Sequence, residues 1–155
     1  EDIKIGEYAI KSFKSATNDL KNKKIDVLLT SPINKHNIQS ESFNFPGHTD
    51  YLSKELEGEG LMFMVTDDLK VGLLTDHVPV SEVSSKITKE LITSKINTIN
   101  KTLKVDFGIR KPKIAVLGIN PHTGDNGVIG TEDDDILKPT LIEIRKTGKW
   151  ALFCR

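Results

Sequence analysis

Apolar residues recur along this chain in two rhythms that take turns. In "GEYAIKSFKSATNDLKNKK", Tyr8, Ile10, Phe13, Ala16 and Leu20 fall at helical spacing, and lysines collect late, where they suit the helix dipole. "IDVLLTSP" reads as a short buried strand ended by Pro32, and "HTDYLSKELEG" as a helix stopped by Gly58. The apolar runs "LMFMV" and "KVGLLT", separated by the turn-like "TDDL", predict adjacent strands forming a hairpin. Ile87, Leu91, Ile92, Ile96, Ile99 and Leu103 then repeat at helical intervals. Pro112 precedes a strand "KIAVLGI", and "TEDDDILKPTLIEIRKTG" predicts a last helix with an acidic first turn. Helices alternating with continuous apolar strands argue for an α/β layered fold with a mostly parallel sheet, to which the hairpin adds an antiparallel element.

Composition narrows the class without changing that picture. At 155 residues with no internal repeat, residues 1–155 read as a single α/β segment, long enough to bury a core. Twenty-two basic and twenty-two acidic residues cancel, so there is no whole-chain footprint for nucleic acid or a membrane surface. No apolar run approaches the roughly 20 residues of a membrane span, and "EDIKIGEYAI" lacks the layout of a signal peptide. The one cysteine, Cys154, cannot form an internal disulfide, and a reducing cytoplasmic setting is the expectation.

Ligands of open α/β sheets bind at the carboxyl ends of strands, in loops that lead into helices. Three such loops carry a histidine: "FPGHTD" (His48), "LLTDHVPV" (His77) and "GINPHTGDNG" (His122). The fourth, His36 in "NKHNIQ", reads as a surface residue. His77 precedes Pro79 and should emerge at a strand end, where Asp76 could orient an imidazole. In the third loop Asn120 and Pro121 end the strand, while Gly124 and Gly127 let the backbone approach a ligand closely. Neutral imidazoles from separate loops could hold a divalent ion with open positions, although ordinary polar or capping roles suit these histidines too. Thr49 could cap the helix that begins near it, or His48 and Thr49 could join the free N–H groups of the helix start around a phosphate or carboxylate. The acidic run Glu132 to Asp135 is most simply a favourable first turn with Thr131 as its cap. "GINPHTG" is not a dinucleotide fingerprint, and the chain has no G-K-[ST] phosphate loop.

Four segments together, "TSPINK" (Thr30 to Lys35), "GHTD" (Gly47 to Asp50), "LLTDHVPV" (Leu73 to Val80) and "GINPHTGDNGVIGTED" (Gly118 to Asp133), resemble the 4-hydroxythreonine-4-phosphate dehydrogenase family. The resemblance runs in order over nearly the whole chain. It departs at Asp50 and Asp125, where the family has glutamate, and in the tail "GKWALFCR", where it has a Gly-Pro-containing stretch. It implies an isocitrate/isopropylmalate dehydrogenase-like fold, of which residues 1–155 form the central metal- and substrate-binding, dimer-forming part, an internal piece of a longer two-domain enzyme.

The implied activity is NAD-dependent oxidation of 4-phosphohydroxy-L-threonine, assisted by a divalent metal (zinc, cobalt or magnesium). The β-keto acid so formed decarboxylates to 3-amino-2-oxopropyl phosphate, a step of pyridoxal phosphate biosynthesis. His48 and Thr49 then correspond to residues that bind the phosphorylated substrate, and His77 and His122 to two of three metal histidines. The third histidine and much of the NAD surface lie downstream in the family. The implied assembly is a homodimer with its active site at the subunit interface, so exposed apolar surface is expected near "LMFMV" or "KVGLL". Two alternatives stay open: a paralogue acting on phosphothreonate or phosphoerythronate, and an inactive metal-binding or dimerisation domain.

Overall fold

Helix α1 spans Ile3–Lys21 in the computed structural model, which describes residues 3–154. Its buried stripe is Gly6, Ile10, Phe13 and Thr17, a helical repeat rotated from the expected one, because Tyr8 is 71% exposed. The cause is a close backbone approach. A Cβ on Gly6 would stand 2.0 Å from the carbonyl oxygen of Asn37, so the glycine side of α1 faces the chain and Tyr8 turns outward.

The described chain divides into two compact units, one up to Gly60 and one from Leu61 onward. In the first, α1 and a short helix α2 (His48–Glu55) close over a core of Ile10, Phe13, Ile38, Phe43 and Tyr51. The Tyr51 ring lies 5.0 Å from Phe13 and 5.1 Å from Phe43, so aromatic contacts hold α2 in place. Helix α2 ends at Leu56, whose extended backbone breaks it before Gly58. The expected strand "IDVLLTSP" does not form. Residues 25–32 carry no ladder pairing, and Val27 and Leu29 are 80% and 95% exposed. An apolar run supplies strand propensity, but a strand exists only where a neighbour takes its N–H and C=O groups.

The second unit opens with the expected hairpin. Strands β1 (Phe63–Val65) and β2 (Lys70–Gly72) pair antiparallel, Met64 opposite Val71. The turn is locked by Thr66, whose hydroxyl accepts the Leu69 N–H at 3.0 Å. The short helix α3 (Val83–Lys86) follows, then α4 (Lys89–Val105), whose N-cap Thr88 accepts the Leu91 N–H at 3.2 Å. Strand β3 (Lys113–Leu117), helix α5 (Lys138–Lys146) and strand β4 (Trp150–Cys154) complete a parallel unit in which Lys113 pairs with Trp150 and Leu117 with Cys154. The tail that departs from the family pattern is therefore a paired strand. Ile92 and Ile96 of α4, Val116 of β3, Ala151 of β4, and Leu137, Leu141 and Ile144 form one core.

The class is α/β with parallel and antiparallel pairing, as the alternation of helices and apolar runs predicts. No helix among the described residues is long and apolar enough to cross a membrane. The last helix starts differently from expectation. Residues Asp133–Leu137 form a wide π-type turn before α5. Pro139 explains it: proline has no N–H to give and its ring crowds the carbonyl four residues earlier, so a regular α-turn cannot run through this point.

Candidate functional site

His48 is the first residue of α2, and Thr49 is the second. Gly47 stands at the cap position with no side-chain cap bond, so the expected Thr49 cap is not made: the helix begins two residues too early for it. His48 and Thr49 are both half-buried. The imidazole meets the Phe13 ring edge-on, centroids 4.8 Å apart, which orients it against the aromatic core. Lys35, from "TSPINK", passes near the same turn: its Cε lies 3.8 Å from where a Cβ on Gly47 would stand. Free N–H groups at a helix start, an oriented imidazole and a hydroxyl are the donors that an anionic group needs.

His77 and His122 both lie in the second unit, each five residues beyond the end of a strand, β2 and β3 respectively. Both are exposed. Both also have positive φ, 22° at His77 and 51° at His122. At His122 this is no isolated feature. Six consecutive residues, His122, Thr123, Gly124, Asp125, Asn126 and Gly127, have φ of 51°, 56°, 82°, 46°, 55° and 90°. Only two of them are glycine. A left-handed residue with a Cβ costs roughly 1–2 kcal/mol, so this loop stores several kcal/mol that the surroundings must hold.

The restraint comes from the acidic run. Asp133 is fully buried, and its carboxylate accepts the Ile119 N–H at 2.8 Å on Oδ1 and the Asn120 N–H at 2.9 Å on Oδ2. These charge-assisted bonds clamp the loop where it leaves β3. Glu132 accepts the Asn120 side-chain amide at 2.8 Å on Oε2 and the Ser84 hydroxyl at 3.0 Å on Oε1. Hydrogen bonds to its own backbone N–H, to Asn120 and to Ser84 hold the Glu132 carboxyl below its usual value.

The acidic run does form a first turn, as expected, but Thr131 is not its cap. Two of the four carboxylates point back into the loop, and no side chain caps the turn. Gly130 makes room for the arrangement, since a Cβ there would stand 2.6 Å from Glu132 Oε2 and 2.8 Å from Asn120 Nδ2. Gly124 lets the loop close, since a Cβ on it would meet the Gly130 carbonyl oxygen at 2.0 Å.

The three candidate histidines stand where the sequence places them, and the polar groups that order the His122 loop, Asp133, Glu132 and Ser84, were not singled out beforehand for that role. The available signal was the spacing: two acids follow the proline-histidine turn just as the next helix starts. His36 is exposed, as expected, and its backbone N–H is taken by Asn34 Oδ1 at 3.0 Å.

For a divalent metal, two exposed imidazoles on fixed loops are suitable donors. They fall short of the three protein ligands typical of a catalytic site, and among the described residues no group of three or more His, Cys, Asp or Glu could hold an ion.

Comparisons with known proteins show the relatives of this chain. The family model for the pyridoxal phosphate biosynthetic protein PdxA matches residues 1–152. A 4-hydroxythreonine-4-phosphate dehydrogenase of Bacteroides thetaiotaomicron is 45% identical over 150 residues, which is 95% of this chain and 41% of that protein. The protein of the same name from a Sulfurihydrogenibium strain is 45% identical, over 92% of this chain and 45% of its own length. Among solved structures, the 4-hydroxythreonine-4-phosphate dehydrogenase of Klebsiella pneumoniae matches with a TM-score of 0.85 at 27% identity, covering 97% of this chain and 46% of that one. The chain thus spans less than half the length of the relatives it matches.

Proposed function

Because the chain belongs to the PdxA family of pyridoxal phosphate biosynthetic proteins, we propose that it supplies the phosphate-binding turn and two metal-binding histidines of a 4-hydroxythreonine-4-phosphate dehydrogenase. The observation that carries this reading is the left-handed His122 loop, kept in a costly conformation by buried Asp133. Strain held at an exposed histidine beside a strand end has a purpose at a ligand site and none in a solvated turn.

In this reading His48 and Thr49 bind the phosphate of 4-phosphohydroxy-L-threonine with the first N–H groups of α2. Anchoring that end limits how the rest of the substrate lies, and His77 and His122 serve separately, as metal donors. These two imidazoles are donors to a divalent ion of the zinc, cobalt or magnesium kind. Such an ion, when bound, supplies a lowered hydroxyl pKa and later stabilises negative charge as carbon dioxide leaves. NAD, when bound, would supply the hydride acceptor, whose chemistry belongs to the cofactor. The missing metal ligand and the NAD contacts come from parts of the longer enzyme outside this segment. A second subunit completes the site, which the exposed Met64, Val65 and Val71 of the hairpin support as a dimer surface. A setting in the cytoplasm suits a NAD-dependent biosynthetic step.

The test uses a version of full family length, incubated with NAD and 4-phosphohydroxy-L-threonine, phosphothreonate or phosphoerythronate in parallel. NADH formation with the amino substrate is expected. Turnover of the non-amino substrates alone would overturn the substrate assignment. Zinc titration of His77→Ala and His122→Ala is expected to show weaker binding in each, and unchanged affinity in both would remove the metal role.

A further inference from the structure

The segments that carry His77 and His122 are 45 residues apart in sequence, by their numbers, yet one side chain reaches both. Glu132 Oε1 accepts from Ser84, in helix α3 seven residues after His77 by their numbers, and Glu132 Oε2 accepts from Asn120, two residues before His122. Asn120 is in turn held on its other sides. Its N–H is taken by Asp133 at 2.9 Å, and its carbonyl accepts the Thr123 N–H at 3.1 Å, so the bonds close around His122. Gly130 is needed for the contact, because any side chain there would push into the Glu132–Asn120 pair.

We infer that Glu132 is a positioning residue that ties the His77 and His122 segments to each other, setting the spacing of the two imidazoles before any ion arrives. The inference rests on the metal role proposed above only for its consequence; the tie itself is a matter of loop order. A carboxylate suits the task because it can accept from two directions at once, one oxygen toward each segment. A glutamine has one oxygen and one amide, so it can accept from only one of the two donors. Alanine has neither. Groups bonded directly to metal ligands typically change metal affinity by about 10–100-fold when lost, and Glu132, which acts through Asn120 and Ser84, is expected at the low end.

The test compares Glu132→Ala, Glu132→Gln and Ser84→Ala in the 155-residue chain, with amide hydrogen exchange as the first readout and titration with zinc alone as the second. Glu132→Ala is expected to speed exchange about 10-fold or more in both residues 78–84 and 118–126, while Ile92, Ile96 and Ile99 of α4 keep their protection. Ser84→Ala is expected to loosen residues 78–84 only, and Glu132→Gln to fall between. Zinc affinity is expected to drop by about 10-fold or more in Glu132→Ala.

Faster exchange in one segment only after Glu132→Ala would overturn the tie, and so would loss of protection spread evenly through α4. If wild type binds no zinc while the exchange pattern holds, the metal reading fails and the tie stands. If zinc binds and all three variants match wild type in exchange and affinity, the tie fails and the metal reading stands.

Discussion

The His48 turn and the His122 loop each carry a candidate site histidine and are built in opposite ways. His48 stands at the start of an ordinary helix, and its ring is steadied by apolar contact with Phe13. His122 opens a run of six residues with positive φ; the restraint seen on this loop is polar, from a buried aspartate and a glutamate. An anion can be met by the generic end of a helix, which any amphipathic segment packed on a core will present. A metal needs donors at set distances and angles, and a loop meets that demand only if its backbone is fixed residue by residue.

The contrast can be broken most sharply at Asp133. Asp133→Ala leaves two backbone N–H groups without their acceptor in a buried place, and the expected loss is about 3–5 kcal/mol of stability. Thermal or denaturant unfolding checks it, and a loss under 1 kcal/mol would show that water replaces the carboxylate. Gly124→Ala comes next, at about 3 kcal/mol, from a Cβ set 2.0 Å from the Gly130 oxygen at φ +82°. His48→Ala is expected to cost only about 1 kcal/mol, the size of one edge-to-face aromatic pair. If it cost as much as Asp133→Ala, the two regions would not differ in the way described.

A pH experiment sharpens the same point. The folded state holds the Glu132 carboxyl below its usual value through hydrogen bonds to the charged form. Its contribution is therefore fully present above the ordinary carboxylate pKa and is lost as pH falls through the lowered folded value. Wild type and Glu132→Gln should differ most in melting temperature near neutral pH and converge in acid. A gap that widened toward acid would contradict the sign of the shift.

How much of this was legible in the sequence differs between the two regions for a physical reason. Helices α1, α2 and α4, the hairpin and strand β3 follow from periodicity, because local side-chain order sets which face can be buried. The unpaired run "IDVLLTSP" and the paired tail Trp150–Cys154 do not, since a strand is fixed by partners that lie elsewhere in the chain. The three site histidines stood out by their company of glycine, proline and hydroxyl residues. Asp133 did not, because a carboxylate in a first helical turn looks the same whether it faces water or accepts two buried N–H groups. The rotated stripe of α1 was hidden likewise: the contact of Gly6 with Asn37 joins residues 31 apart, by their numbers.

The smallest effect is also the most discriminating, since one substitution is expected to change sign between the two regions. Thr49 lies inside α2, where replacing it with glycine adds backbone freedom to the unfolded chain and lowers helix propensity. Thr49→Gly should cost a few tenths of a kcal/mol. Thr123 is a β-branched residue at φ 56°, a region that its side chain opposes and that glycine enters freely. Thr123→Gly should therefore raise stability by about 1 kcal/mol once the entropy of the added glycine is deducted. If the strain at Thr123 serves the site, the same variant should weaken zinc binding while the fold gains stability, because the glycine also widens the conformations open to the neighbouring His122. A Thr123→Gly protein that was less stable than wild type would mean that the left-handed loop is not strained at this residue. One that was more stable with zinc affinity unchanged would mean that the strain has no part in holding the histidine.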